Sequence, residues 1–304
     1  MTAQEGIGID IGGTFIKYGI VNTEGKVYWE AKKPTKAKTS RNEVVQNIVD
    51  AAKEASSKAR ELGLSIKSIG IGTPGLVTND GTILSGADNI IDWDDLPLRQ
   101  LLQKQLSLPI FVKNDADMMA IGEIYTIKTK PTTAILFTFG TGIGGAIIVN
   151  GQLFSGHFGL GGELGVFPML IHGKVQNWEE VASTTAMVNW YKNRCPHQDL
   201  EINGKYIVLK YFENEELAIE TIDHFTHLVG MGIAGYINVF NPEMVIIGGG
   251  ISEAGDFFIE KIKSHISKYA LKPCLQDVKI NLAKLGNRAG FIGAGIYGLL
   301  NRQQ

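Results

Sequence analysis

Short apolar runs, glycine turns and stretches of helical spacing alternate along this chain and mark out its elements. Ile7–Ile11 and Phe15–Val21 are apolar runs divided by Gly12-Gly13-Thr14, which predicts strand, turn, strand, with a third β-rich segment around Lys26–Ala31. From Asn42 to Leu62 the apolar positions shift to helical spacing (Val45, Ile48, Val49, Ala52, Ala55, Ala59), and Gly63 stands where a C′ glycine is expected. Ile66–Ile71 reads as a buried strand ending at Gly72-Thr73-Pro74-Gly75. Leu96–Leu106 has the pattern of a short amphipathic helix, and Pro109–Lys113 that of a strand. Asn114-Asp115 stops this strand, and the helix Ala116–Ile127 follows.

After Pro131 the order restarts. Thr133–Phe139 reads as a strand, Gly140-Thr141-Gly142-Ile143-Gly144-Gly145 as a turn, and Ala146–Asn150 as the return strand. Strand, glycine turn and strand therefore occur twice, about 130 residues apart, a weak internal duplication in which each copy opens one half of the chain. Residues 151–180 are loop-rich. Helical spacing covers Glu179–Arg194, Glu215–Val239, Gly255–Tyr269 and the small-residue run Ala289–Leu300, with strands at Met244–Ile247 and Val278–Leu282. The expected division is a smaller N-terminal α/β domain, 1–120 plus 287–304, and a larger C-terminal one, 121–286.

Composition narrows the class. The chain has 304 residues, enough for two cores, with 44% apolar and 20% charged residues and 37 glycines clustered at the ends of apolar runs. A net charge of −2 provides no overall drive toward nucleic acid or anionic membrane. Neither cysteine, Cys195 or Cys274, belongs to a CxxC pair, which excludes a Cys-rich zinc site. The short polar start fits no signal peptide, and no apolar run reaches the ~20 residues of a membrane span. The expected location is cytoplasmic.

The chemistry is carried by the glycine turns. Gly12 and Gly13 let backbone N–H groups approach an anion, Thr14 adds a hydroxyl, and Asp10 is placed to hold hydrated Mg²⁺ beside a phosphate. An ordinary hairpin turn has the same pattern. Gly70-x-Gly72-x-x-Gly75 and Gly140-x-Gly142-x-x-Gly145 match a dinucleotide fingerprint, but strand-like residues follow both where that fingerprint needs a helix. There is no GxxxxGK[ST]. A pair of phosphate-gripping hairpins, one per half, suits a nucleotide lying in a cleft. A third turn, Gly248-Gly249-Gly250, could sit under an adenine or ribose or be a plain strand-to-helix turn. Asp115, at a strand end, suits either an N-cap or the base that takes a hydroxyl proton in phosphoryl transfer. Asn114 could donate to a neighbouring sugar hydroxyl, Glu163 and Glu179 could accept from a polyol, and Asp117 is expected on a solvated helix face. His224 and His227 lie three apart and suit a solvated helix face or a surface metal site.

Together these segments resemble the ROK family (repressor, open reading frame, kinase) of sugar kinases over essentially the whole chain. The matching motifs are Asp10-Ile-Gly-Gly-Thr-x-x-Lys17, Gly72-Thr-Pro-Gly75, Asn114-Asp115-Ala116, Gly140-Thr-Gly-Ile-Gly-Gly145, Gly162-Glu163-Leu164-Gly165, Asn241-Pro-Glu-x-x-x-x-Gly-Gly-Gly250 and Gly286-Asn287-x-Ala289-Gly290. The resemblance implies an α/β, actin/hexokinase-type ATPase fold, two ribonuclease-H-like domains flanking a cleft. It implies an ATP- and Mg²⁺-dependent kinase acting on the 6-hydroxyl of a hexose, with Asp115 as catalytic base. Gly75, Asn114, Asp115, Glu163 and Glu179 would face the sugar. Gly12, Gly13, Thr14, Lys17, Thr141 and Gly142 would hold phosphates, Asp10 would organise Mg²⁺, and Gly249 and Gly250 would face the adenosine. A homodimer is also implied.

Two departures bear on the substrate. Val166 stands where most members carry a zinc-binding histidine, and the stretch Phe167–Trp178 holds no cysteine and a single histidine, His172. Zinc is therefore not expected. Glucose is the default sugar, with N-acetylmannosamine and β-glucosides open beside it. The family's transcriptional regulators carry a helix-turn-helix domain ahead of the first hairpin, whereas nine residues precede Asp10 here, so a regulator is the more distant expectation.

Overall fold

The computed structural model describes residues 4–87, 89–171, 173–196 and 201–302. The chain forms two compact units. The first comprises Met1–Lys130, Leu153–Gly162 and Lys284–Gln304, the second Pro131–Gln152 and Glu163–Ala283. The sequence reading puts the divisions at 120/121 and 286/287; the compact units divide at 130/131, 152/153, 162/163 and 283/284. The helix after Asp115 stays whole in the first unit because it packs on the last helix of the chain.

In the first unit the strands are β1 (Glu5–Ile11), β2 (Phe15–Asn22), β3 (Val27–Pro34), β4 (Ile66–Thr73) and β5 (Ile110–Asn114), in sheet order β3-β2-β1-β4-β5. β1–β2 and β2–β3 are antiparallel, β1–β4 and β4–β5 parallel. Period-two alternation sends Ile7, Ile9 and Ile11 to one face, where α1 (Arg41–Glu61) buries Val44, Ile48, Val49 and Ala52 against them. The opposite face offers glycine. There α10 (Ala289–Asn301) lies so close that a Cβ on Gly8 would come 1.7 Å from the Phe291 carbonyl oxygen, and one on Gly70 1.7 Å from that of Ala294. α10 also presses on α3 (Asp115–Tyr125), where a Cβ on Gly293 would meet the Met118 carbonyl at 1.7 Å. The small residues of α10 exist for this two-sided approach. Glu123 of α3, buried, accepts the Lys284 and Leu285 N–H groups at 2.7–2.9 Å and ties down the turn that leads into α10.

In the second sheet β6 (Ala134–Phe139), β7 (Ile143–Val149), β8 (Gln152–Leu153), β11 (Met244–Gly249) and β12 (Lys279–Leu282) stand in the order β12-β11-β6-β7-β8. Counted from the hairpin outward, this repeats the order of the first sheet. The weak duplication of glycine turns is thus a duplication of topology. Helix α7 (Glu216–Phe240) packs its apolar stripe against α8 (Asp256–Tyr269) and against a buried aromatic group. Within that group Trp178 meets Phe137 and Phe139 edge-on, each at 5.7 Å, and Gly232 of α7 leaves the space the indole occupies.

Four readings are corrected here. The loop-rich stretch 151–180 contains a small hairpin, β9 (Pro168–Ile171) with β10 (Lys174–Asn177); His172 lies outside the described residues. The helix expected over Glu179–Arg194 is two helices, α4 (Trp178–Ala182) and α5 (Thr184–Lys192). Ser183 breaks it, extended at ψ 163°, its hydroxyl accepting the Ala186 N–H at 3.1 Å as the N-cap of α5. The helix over Leu96–Leu106 shortens to α2 (Leu98–Gln103), Pro97 standing ahead of its first turn. A helix α6 (Gly204–Phe212) was not expected at all. Among the described residues no helix is long and apolar enough to cross a membrane.

Candidate active site: two glycine turns and their carboxylates

In the first unit Asp10 and Lys17 are cross-strand partners in β1 and β2, with Nζ 3.6 Å from Oδ2. Asp10 also faces the first turn of α10, where a Cβ on Gly290 would lie 2.6 Å from its carboxyl carbon. Burial pushes the Asp10 carboxyl above the usual carboxylate range, and Lys17 opposes that shift. The turn itself closes with the Gly12 N–H donating to the Phe15 carbonyl at 3.0 Å, and the Thr35 hydroxyl donating to the Gly12 carbonyl at 2.5 Å. Gly12, Gly13, Thr14 and Lys17 line a cavity of about 730 Å³ with Asn287 and Arg288. The sequence reading missed these last two as cavity residues, although they belong to the Gly286–Gly290 motif it quoted. Asn287 accepts from Lys17 Nζ at 3.3 Å.

At the end of β5 the backbone turns directly into α3. Asn114 is the N-cap. Its Oδ1 accepts the Ala116 N–H at 2.8 Å while its Nδ2 donates to the Gly75 carbonyl at 3.0 Å. Gly75 has φ +98°, and a Cβ there would meet the Ser85 carbonyl oxygen at 2.8 Å, so only glycine fits. Gly75, Asn114 and Asp115 are thereby brought together at one edge of the sheet. Asp117 is not solvated as expected. It is 4% exposed, beside the equally buried Lys113, because these two residues, four apart, both turn into the interior. Burial pushes the Lys113 ammonium down and Asp117 pulls it back up. Lys113 Nζ donates to Asn79 Oδ1 at 3.2 Å.

The second unit gathers Thr141, Gly142, Glu163 and Glu179. Glu179 lies in the first turn of α4, and its Oε2 accepts the Ile143 N–H at 3.2 Å at the foot of the second glycine turn. Glu163 precedes a 3₁₀ turn (Leu164–Val166) whose Leu164 carbonyl accepts the Tyr236 hydroxyl at 2.6 Å. Desolvation, and then the nearby charge of Glu179, push the Glu163 carboxyl up. Glu163 and Glu179 thus stand as neighbouring carboxylates. Gly250 lines a further cavity of about 500 Å³ with Thr184, Met187, Asn203, Lys205 and Phe258. Gly249 does not line it. At φ +79° it backs onto β6, where a Cβ would lie 2.2 Å from the Phe139 carbonyl oxygen. The α5 and α6 contributions carry no motif, which is why the sequence did not show them. His224 stacks on Trp190 and His227 on His265, so their rings go to different neighbours. No group of three or more His, Cys, Asp or Glu among the described residues could hold a metal ion.

Two α/β units built on mixed sheets of one strand order, each opening with a hairpin whose glycine turn lies among polar side chains, define the actin/hexokinase-type ATPase fold. The chain belongs to the ROK family, whose profile matches residues 6–299. It is 32% identical to a glucokinase of Halalkalibacterium halodurans, over 95% of this chain and 93% of that one. A ROK family glucokinase from Streptomyces griseus, solved in complex with glucose and AMPPNP, superposes with a TM-score of 0.78 at 29% identity, covering 97% of this chain and 99% of that one. The ROK hexokinase from Thermus thermophilus gives a TM-score of 0.84 at 26% identity, with 99% of each chain covered.

Proposed function

We propose that this chain is an ATP-dependent sugar kinase that phosphorylates the 6-hydroxyl of a hexose, glucose first among the candidates, with N-acetylmannosamine and β-glucosides as alternatives. The observation that carries the reading is the end of β5. There a carboxylate, Asp115, follows an asparagine held at both ends of its amide, against Gly75 and against α3. That arrangement suits orienting a sugar hydroxyl and receiving its proton. Family membership and the glucokinase relatives support the same class of reaction.

In this mechanism the sugar oxygen attacks the γ-phosphorus, the bond from that phosphorus to the leaving ADP oxygen breaks, and the hydroxyl proton passes to Asp115. Asn114, Glu163 and Glu179 would hold the other sugar hydroxyls. The two glycine turns, with Thr14, Lys17 and Thr141, would receive phosphates. The second unit's cavity beside Gly250 would take the nucleoside. Asp10 fits as the anchor for hydrated Mg²⁺, because a carboxyl raised by burial gains from an adjacent divalent charge. The ion would supply charge neutralisation on the phosphates.

A coupled ADP-release assay over glucose, N-acetylmannosamine, N-acetylglucosamine, fructose and cellobiose tests the proposal. Turnover with one hexose well above the others is the expected result. A folded protein that binds a sugar but releases no ADP with any of them would overturn it in favour of a regulator.

A further inference from the structure

Glu179 stands where three parts of the second unit meet. Its Oε2 accepts the Ile143 N–H at 3.2 Å and lies so near the turn that a Cβ on Gly142 would come within 2.5 Å of it. The α4–α5 corner grips the same turn twice more. The Thr185 N–H donates to the Gly140 carbonyl at 3.3 Å, and the Thr184 hydroxyl to the Phe139 carbonyl at 3.3 Å. Within the turn, the Gly140 N–H closes on the Gly142 carbonyl at 3.0 Å. Among the described residues neither the Thr141 nor the Gly142 N–H has an acceptor. One residue before Glu179, the fully buried Trp178 donates Nε1 to the Leu228 carbonyl at 3.0 Å and fixes the start of α4.

A carboxylate beside a turn meant for phosphate is electrostatically adverse by Coulomb repulsion alone. Its place there needs a compensating role, and the hydrogen bond to Ile143 supplies one. We propose that Glu179, besides facing the sugar, is a positioning residue for the Gly140–Ile143 turn. By consuming the Ile143 N–H it holds the turn so that the Thr141 and Gly142 N–H groups point outward to a nucleotide phosphate. The sugar carboxylate and the phosphate turn then move as one piece, and whatever orders Glu179 orders the turn. This deepens the sugar kinase reading and rests on it for the identity of the two ligands.

The test is binding of a non-hydrolysable ATP analogue with Mg²⁺, by calorimetry and without sugar, to the whole chain and its variants. Glu179→Ala should weaken binding on the order of tenfold, the worth of a charge-assisted hydrogen bond. Glu179→Gln keeps an acceptor oxygen for the Ile143 N–H and should stay within about threefold of the native chain. Gly142→Ala, which pushes the Oε2 atom away, should reproduce the weakening and serves if Glu179→Ala does not fold. Native binding in Glu179→Ala or in Gly142→Ala, or equal weakening in a folded Glu179→Gln, would overturn the role. Because sugar is absent from this experiment, failure of the sugar assay would sink the kinase reading without deciding this one.

Discussion

At the scale of single residues, the site is a set of side chains whose second hydrogen bonds were invisible in the sequence. Asp115 was readable as either an N-cap or a base, and the structure gives the N-cap position to Asn114. Asp115 takes the first position of α3, and its Oδ1 also accepts the Ala116 N–H, at 2.9 Å. Asp115→Asn should bind sugar normally and lose about 10³-fold in kcat, the range of a positioned acid–base group, as measured by steady-state ADP release. Near-native kcat would remove Asp115 from its role. Burial ties Glu163 to pH. Its folded pKa is raised, so the folded chain holds this proton more tightly than the unfolded one. The group's contribution to stability is therefore full below the unfolded carboxylate value and is lost as pH rises through the folded one. In the proposed kinase the ionised Glu163 accepts from the sugar, so sugar binding would run the other way. The sugar KM should rise as pH falls through a value above the usual carboxylate range, and Glu163→Gln should flatten that limb. An unchanged KM–pH profile in the variant would assign the titration elsewhere.

At the scale of elements, periodicity found the strands and the long helices because their apolar faces repeat every two or 3.6 residues. It failed where a break depends on one polar side chain or one proline. Ser183 ends α4 by its extended backbone and starts α5 by its hydroxyl, a division no apolar pattern reveals. Asp117 was expected on a solvated face, yet Lys113 from the preceding strand gives it a partner inside. The small-residue character of α10 was plain in the sequence, and its neighbours were not. Gly8, Gly70, Gly122 and Gly293 all surrender their Cβ to let this helix touch two strands and α3. Gly293→Ala should therefore destabilise the protein by about 1–3 kcal/mol or more, through overpacking against the Met118 carbonyl, as read from the denaturation midpoint. A midpoint equal to the native one would mean that α10 can shift without cost.

At the scale of the whole molecule, the chain is two α/β units, each with its own apolar core. One core is built around Ile7, Ile9, Val44 and Ile48, the other around Phe137, Phe139, Trp178 and Phe225. The residue leading into β9 and its hairpin with β10 is tied to the second core through aromatic contacts. Phe167 lies 5.6 Å from both Trp178 and Tyr236. Dialysis against a chelator should accordingly leave the melting temperature of the ligand-free protein unchanged, and a fall of several degrees would reveal a structural metal. The sequence alone determined the strand–turn–strand duplication, the family, and which residue types could meet phosphate, metal and sugar. Those are local matters, set by glycines without Cβ and by carboxylates a fixed number of residues from them. Only the tertiary structure decided that Glu179 holds the foot of the second glycine turn, that Asn114 is fastened to Gly75, and that α5 and α6 wall the cavity beside Gly250. Each of these joins residues distant in sequence through a single hydrogen bond or one shared cavity. Such contacts leave no periodic trace, because they are fixed by how whole elements pack and not by the residues beside them in the chain.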